Sequence, residues 1–233
     1  MTNKIMITDS MTNEEIISLL EEDFVFVKHK LEELYPKYLK LAKKYSHRKE
    51  RVNFNPVSYK SAKGFNYVFR CYKRDVNDKD KLKVGCENYI WYVKERGIYA
   101  IREIDSASVD GYELIRCIYT PHFFDRYRER FLKDLSIPKL EVIEKFMLSN
   151  DKYMSKGIPS EKYPNSSWSL CKDGLCLCTQ INNSLYEGKT FVTFDMAVGG
   201  ERQEFIDYMK RMNTVLKFEL DLPKEDFEEF TQD

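Results

Sequence analysis

The sequence predicts an α+β protein: an N-terminal helical segment, an antiparallel sheet packed with a central helix pair, and a C-terminal helix. Three observations carry that prediction. Apolar residues between positions 12 and 48 recur in steps of three and four, the period of a helix with one buried face. Between about 52 and 119, and again between 168 and 196, apolar and polar residues alternate with the period of a strand. Two stretches between them, 121–132 and 138–149, return to helical spacing, and each opens on a proline. A chain of 233 residues buries a sizeable core as one large domain or two small ones. The expected division is a helical segment over 1–50 and an α+β domain over 51–233.

Thr12 and Glu15 have the spacing of a capping box, and Ile16, Ile17, Leu19 and Leu20 follow directly. Phe24, Val27, Leu31, Leu34, Tyr38, Leu41 and Tyr45 then form a stripe as narrow as a coiled-coil seam. Such a stripe has two destinations: the chain's own sheet, or a homodimer or other protein partner docked along 12–48. Pro36 lacks an N–H and is expected to kink or split the helix near Tyr35. Phe65, Tyr67, Phe69 and Cys71 mark a strand, 75–83 a polar turn region, and Tyr89–Val93, Ile98–Ile104 and Tyr112–Tyr119 three further strands of a meander.

Thr120 is the expected N-cap of a helix running from Pro121 to about Leu132. Leu140, Ile143, Phe146 and Met147 share one side of the next helix, and 151–167 reads as a long polar loop. Strands resume at Trp168–Lys172, turn at Asp173-Gly174, return through Leu175–Ile181 and recur at Thr190–Met196. A last helix, Glu201–Leu216, precedes an acidic tail.

Lys and Arg total 38, as do Asp and Glu, so the formal net charge is zero. The balance conceals a gradient: residues 28–96 carry +11, while 1–27 and 217–233 carry −5 each. Local charge decides what a surface attracts, so a polyanionic partner stays open despite the neutral total. The absence of any run near the ~20 apolar residues of a bilayer span argues for no membrane association. The first residues lack the apolar centre of a secretory signal, and a cytoplasmic location is expected.

The six cysteines are then expected as reduced, packed thiols. Cys171 and Cys176 flank the Asp173-Gly174 turn and should face each other across a hairpin at about 4.5 Å, with Cys178 on the same face. That run lacks the Cys-x2-Cys knuckle and fourth ligand of a zinc site, so no metal is expected. A phosphate-binding glycine loop, a dinucleotide fingerprint, HExxH and a nucleophile elbow are absent as well, and no cofactor is expected.

The stretch TPHFFDRYRERF, from Thr120 to Phe131, is the most informative. At about 100° per residue, His122, Arg126, Arg130 and Lys133 fall within about 80° of one another. Phe123, Phe124, Tyr127 and Phe131 take the opposite side and should pack. A helix start disfavours imidazolium, which leaves His122 available as a base, and Arg126 one turn on can grip two phosphate oxygens. These are the parts of a metal-independent ribonuclease. A solvated face laced by pairs such as Glu129 with Lys133 accounts for the same charges without chemistry. A second basic patch, Lys40, Lys43, Lys44, Arg48, Lys49 and Arg51, would meet RNA phosphates. Around it lie Tyr59, Phe65, Tyr67, Phe69, Tyr72, Tyr89, Trp91 and Tyr92, mostly expected in the core.

His122-x3-Arg126-x3-Arg130, followed by a second helix and strands ending in Phe191-Val192-Thr193-Phe194, resembles the ribonuclease-toxin superfold that groups barnase, EndoU, colicin and RelE-type toxins. The resemblance covers residues 112–196. It implies an RNA-cleaving or RNA-binding fold with His122, Arg126 and Arg130 at the site and Thr193 beside them. The loop 151–167, the first hundred residues and the C-terminal extension depart from a minimal toxin. The rival reading is a non-catalytic binding or scaffold protein that uses its N-terminal helix and basic surface.

Overall fold

A computed structural model describes residues 6–48, 50–73, 84–108, 111–150, 154–157 and 161–196. The class is α+β, and the chain divides between Ile118 and Tyr119 into two compact units. No helix among the described residues is long and apolar enough to cross a membrane.

The first unit begins with helix α1, Asn13–Lys44. Its start is the expected capping box: Glu15 N–H donates to the Thr12 hydroxyl at 3.2 Å, and Thr12 N–H to the Glu15 carboxylate at 2.7 Å. The helix is not split at Pro36 and continues for two more turns. Proline frees only the carbonyl four residues back, and here Glu32 and Pro36 both lie on the exposed side, where that carbonyl need not be buried without a donor.

The strands of this unit are β1 (Val52–Asn53), β2 (Val57–Lys60), β3 (Asn66–Lys73), β4 (Val84–Lys94), β5 (Gly97–Ser108) and β6 (Gly111–Tyr119), in spatial order β1-β3-β4-β5-β6. The strands β1 and β2 both pair antiparallel with β3, and periodicity had given no separate sign of either. Phe65, Tyr67, Phe69 and Cys71 are buried, as alternation predicts, and α1 lays Ile16, Leu20 and Val27 over this sheet. Asp23, also buried in α1, accepts a 2.9 Å hydrogen bond from the Tyr67 hydroxyl. Lower on the same helix Phe24, Leu31, Leu34 and Leu41 are half-buried, while Tyr38 is buried and stacks on Phe54. The unit's own strands thus take up part of the seam.

In the second unit, helix α2 (Pro121–Tyr127) is capped by Thr120, whose hydroxyl accepts from Phe123 N–H at 3.2 Å. The expected single helix to Leu132 ends early: Arg128–Leu132 form one wider π turn, closed by Lys133 in the left-handed region at φ 53°. Helix α3 is Lys139–Ser149. The strands are β7 (Met154–Gly157), β8 (Ser166–Cys171), β9 (Gly174–Asn182) and β10 (Leu185–Val192), antiparallel in the order β10-β9-β8-β7. The stretch read as the loop 151–167 therefore contains a strand. Backbone pairing with Ser167–Leu170 places β7, and an edge strand needs no apolar alternation for that. Helix 201–216 and the acidic tail lie outside the described residues.

Phe146 of α3 holds this core together. Its ring lies 4.9 to 6.3 Å from the centroids of Tyr119, Phe123, Phe124, Tyr127 and Phe191, mostly edge to face. Phe131 was expected inside but is 39% exposed; the π turn moves it to the rim, where it stacks on Tyr127 at 5.2 Å.

Candidate functional site

Every charged side chain on α2 and its π turn has a defined neighbour, and the neighbours sort them. Asp125 is held by Lys139 and, at 3.4 Å, by Arg128, while Lys139 also donates to the Pro121 carbonyl at 3.1 Å. Arg128 reaches the Ile137 carbonyl at 3.2 Å. These three residues fasten the start of α3 to α2, and their charges are spent on folding.

His122 and Arg126 are placed differently. His122 is exposed at the first turn, and Arg126 Nε donates to its Nε2 at 3.4 Å. That bond needs a lone pair on Nε2, so it belongs to the neutral ring. Arg126 also pairs with Glu129 at 2.6 Å, with both side chains more than a third exposed. An exposed i,i+3 pair contributes no more than about 1 kcal/mol and yields readily to a stronger anion. The amides of the first turn are less free than a helix start implies: Thr120 occupies both Phe123 N–H and, at 3.4 Å, Phe124 N–H. Cationic side chains, rather than open amides, are what this face offers an anion.

Arg130 reaches across to the end of β10 and donates to the Phe191 carbonyl at 2.5 Å. The strand was expected to run to Met196 but stops at Val192, and Phe194–Met196 form a 3-10 turn. The reason is local: Met196 N–H bonds the Thr193 carbonyl at 3.1 Å, and the Thr193 side chain is hydrogen-bonded to Asp195. That bond, helped by the Lys133 ammonium, holds the Asp195 carboxyl below the usual carboxylate range. Thus the Thr193 side chain and the Lys133 charge both act on Asp195, and Arg130 is held at Phe191, two residues before Thr193. Asp195 had not been singled out; its sequence signal was Thr-x-Asp immediately after a strand, a side-chain-capped turn. The structure brings His122 and Arg126 together, sets Thr193 and the Lys133 charge to act on Asp195, and ties Arg130 to the Phe191 carbonyl. No family model, curated protein or solved structure matches the chain.

The residues of the second patch lie in the first unit. Lys40, Lys43, Lys44 and Arg48 are exposed at the C-terminal end of α1, where cations complement the helix dipole, and Arg48 leans over Tyr45. Arg51 is engaged instead: its guanidinium lies 3.7 Å from the Tyr72 ring centroid and 3.0 Å from Glu87. Lys49 lies outside the described residues. Of the eight aromatics around the patch, Tyr59, Tyr72 and Trp91 are half-buried and the other five are buried.

The cysteine hairpin differs from expectation in register. Cys171 pairs with Gly174 and Ser169 with Cys176, so the two-residue loop is Lys172-Asp173 and not Asp173-Gly174. Asp173 is drawn inward: it accepts from the Tyr127 hydroxyl at 2.7 Å and Asn150 Nδ2 at 2.8 Å, and its own N–H donates to Asn150 Oδ1 at 3.0 Å. The sulfurs of Cys171 and Cys176 still approach to 3.8 Å, diagonally, and both are buried, as is Cys178.

Proposed function

We propose that the protein cleaves RNA without a metal, using His122, Arg126, Arg130, Lys133 and Thr193 of the second unit. The observation that supports this most is the pairing of an exposed His122 with Arg126, whose other partner among the described residues is the exposed Glu129. An RNA phosphate competes with Glu129 for the guanidinium fork and draws Arg126 away from the ring. Nε2 then accepts the proton of the adjacent 2′-hydroxyl. The 2′-oxygen attacks phosphorus, the 5′-oxygen leaves and takes a proton from water, and a 2′,3′-cyclic phosphate remains. Arg126 and Arg130 counter the charge that builds on the phosphate oxygens. The resemblance of residues 112–196 to the ribonuclease-toxin superfold points the same way.

Cleavage of RNA by the purified protein in EDTA tests the reading. His122→Ala and Arg126→Ala should each lower the rate by about 10²–10⁴. RNA left intact at high protein concentration across several substrates removes it. The second reading, a non-catalytic binding or scaffold protein, rests on α1, where Val25, Phe26 and Tyr35 stand 62%, 68% and 51% exposed. It predicts a homodimer or complex and no cleavage.

A further inference from the structure

Two cysteines outside the cluster in the second unit lie opposite one another. Cys71 of β3 and Cys86 of β4 are directly cross-strand partners, and the Cys71 thiol donates to Cys86 Sγ at 2.8 Å. Cross-strand Cα atoms sit about 4.5–5.5 Å apart, within the span a disulfide bridges. The two thiols have unlike surroundings: Cys71 is buried, and Cys86 is exposed. Burial, and after it the charges of Cys71 and Cys86, push the Tyr38 phenol of α1 up. Glu87 follows Cys86 directly and is paired with Arg51 and Arg70 at 3.0 and 2.8 Å.

The geometry points to a redox-active dithiol: Cys86 as the attacking thiol, Cys71 as the resolving thiol, and a low-molecular-weight disulfide as the oxidant. Reaction begins at the exposed sulfur. The donated S–H of Cys71 favours the thiolate of Cys86 and lowers its pKa, against burial and the Glu87 charge; the same bond, with burial, pushes Cys71 up. The Cys86 thiolate attacks one sulfur of the disulfide RSSR, forming a mixed disulfide and expelling RS⁻, which takes a proton from solvent. Cys71 then loses its proton to solvent and attacks Cys86 Sγ, expelling the second RS⁻, which is protonated in turn. The balance is two protein thiols and RSSR giving one protein disulfide and two RSH. A buried resolving thiol already in contact with the attacked sulfur makes the second step intramolecular and short-lived in its intermediate. Cys171 and Cys176 are both buried and offer an oxidant no such entry.

The test uses the full chain with oxidised glutathione, followed by alkylation, peptide mass spectrometry and thiol counting. The expected result is a fall from six free thiols to four, with one peptide pair linking Cys71 to Cys86. Cys71→Ser should stop at a stable glutathione adduct on Cys86, and Cys86→Ser should lose no thiols. Six thiols remaining after treatment would overturn the assignment. So would a persistent adduct on Cys86 in the unsubstituted protein, or a link among Cys171, Cys176 and Cys178 in place of the expected one. The unsubstituted protein alone decides the matter if either serine variant fails to fold.

Discussion

At the scale of single residues, a side chain that acts only on its immediate neighbours needs nothing from the rest of the fold. The caps at Thr12 and Thr120 need only a hydroxyl three residues before an N–H, and both are present. His122 stood out because it was one of only three histidines and sat at a helix start, and it is exposed as that position implied. Partners distant in sequence were not legible. Asp23 looked like one more acid in an acidic segment, yet it is buried against Tyr67, separated from it by 44 positions. Burial, followed by the Asp23 charge and hydrogen bond, raises the Tyr67 pKa far above that of a free phenol. A phenol whose folded pKa is raised contributes stability that is complete below the unfolded value of about 10 and is lost as pH climbs beyond it. Denaturant titrations from pH 8 to 11 should therefore show stability falling above about pH 10, and Tyr67→Phe should flatten that fall. At neutral pH the same substitution should cost about 1–3 kcal/mol, because the buried Asp23 loses a donor.

At the scale of elements, periodicity found the long strands and the three helices of the described residues but not where they stop. Strand β10 ends two residues after Thr190 because the Thr193 side chain offers Asp195 a competing bond, an arrangement no alternation pattern encodes. The helix beginning at Pro121 widens into a π turn after Tyr127, so the arc drawn through His122, Arg126 and Arg130 holds for its first half only. Asp-Gly gave the hairpin but the wrong loop, since Asn150 and Tyr127 pull Asp173 into the core. Gly174 consequently passes close to β10: a Cβ there would lie 2.5 Å from the Val192 carbonyl oxygen and 2.7 Å from the Phe191 ring. Backbone cannot give way as a flexible side chain can. Gly174→Ala should cost about 1–3 kcal/mol in denaturant unfolding. If the protein cleaves RNA as proposed, the substitution should also slow cleavage, because it displaces the strand end that Arg130 grips.

For the whole molecule, the α+β class was readable because it depends on the sum of many local periods. The division after Ile118 was not, because nothing in composition changes there. The zero net charge likewise hid a basic segment whose exposed cations, Lys40, Lys43, Lys44 and Arg48, close α1 in the first unit, while His122 and its neighbours lie in the second. The Cys71–Cys86 pair escaped notice because 15 positions separate the two in sequence and only strand register joins them. If His122 acts on RNA as proposed, the ends of the product report it most directly. In EDTA, mass spectrometry of a cleaved oligoribonucleotide should show a 2′,3′-cyclic phosphate and a 5′-hydroxyl, and a single 2′-deoxy substitution at the cut should abolish cleavage there. Intact RNA, 5′-phosphate ends, or undiminished cutting at the 2′-deoxy position would contradict the account.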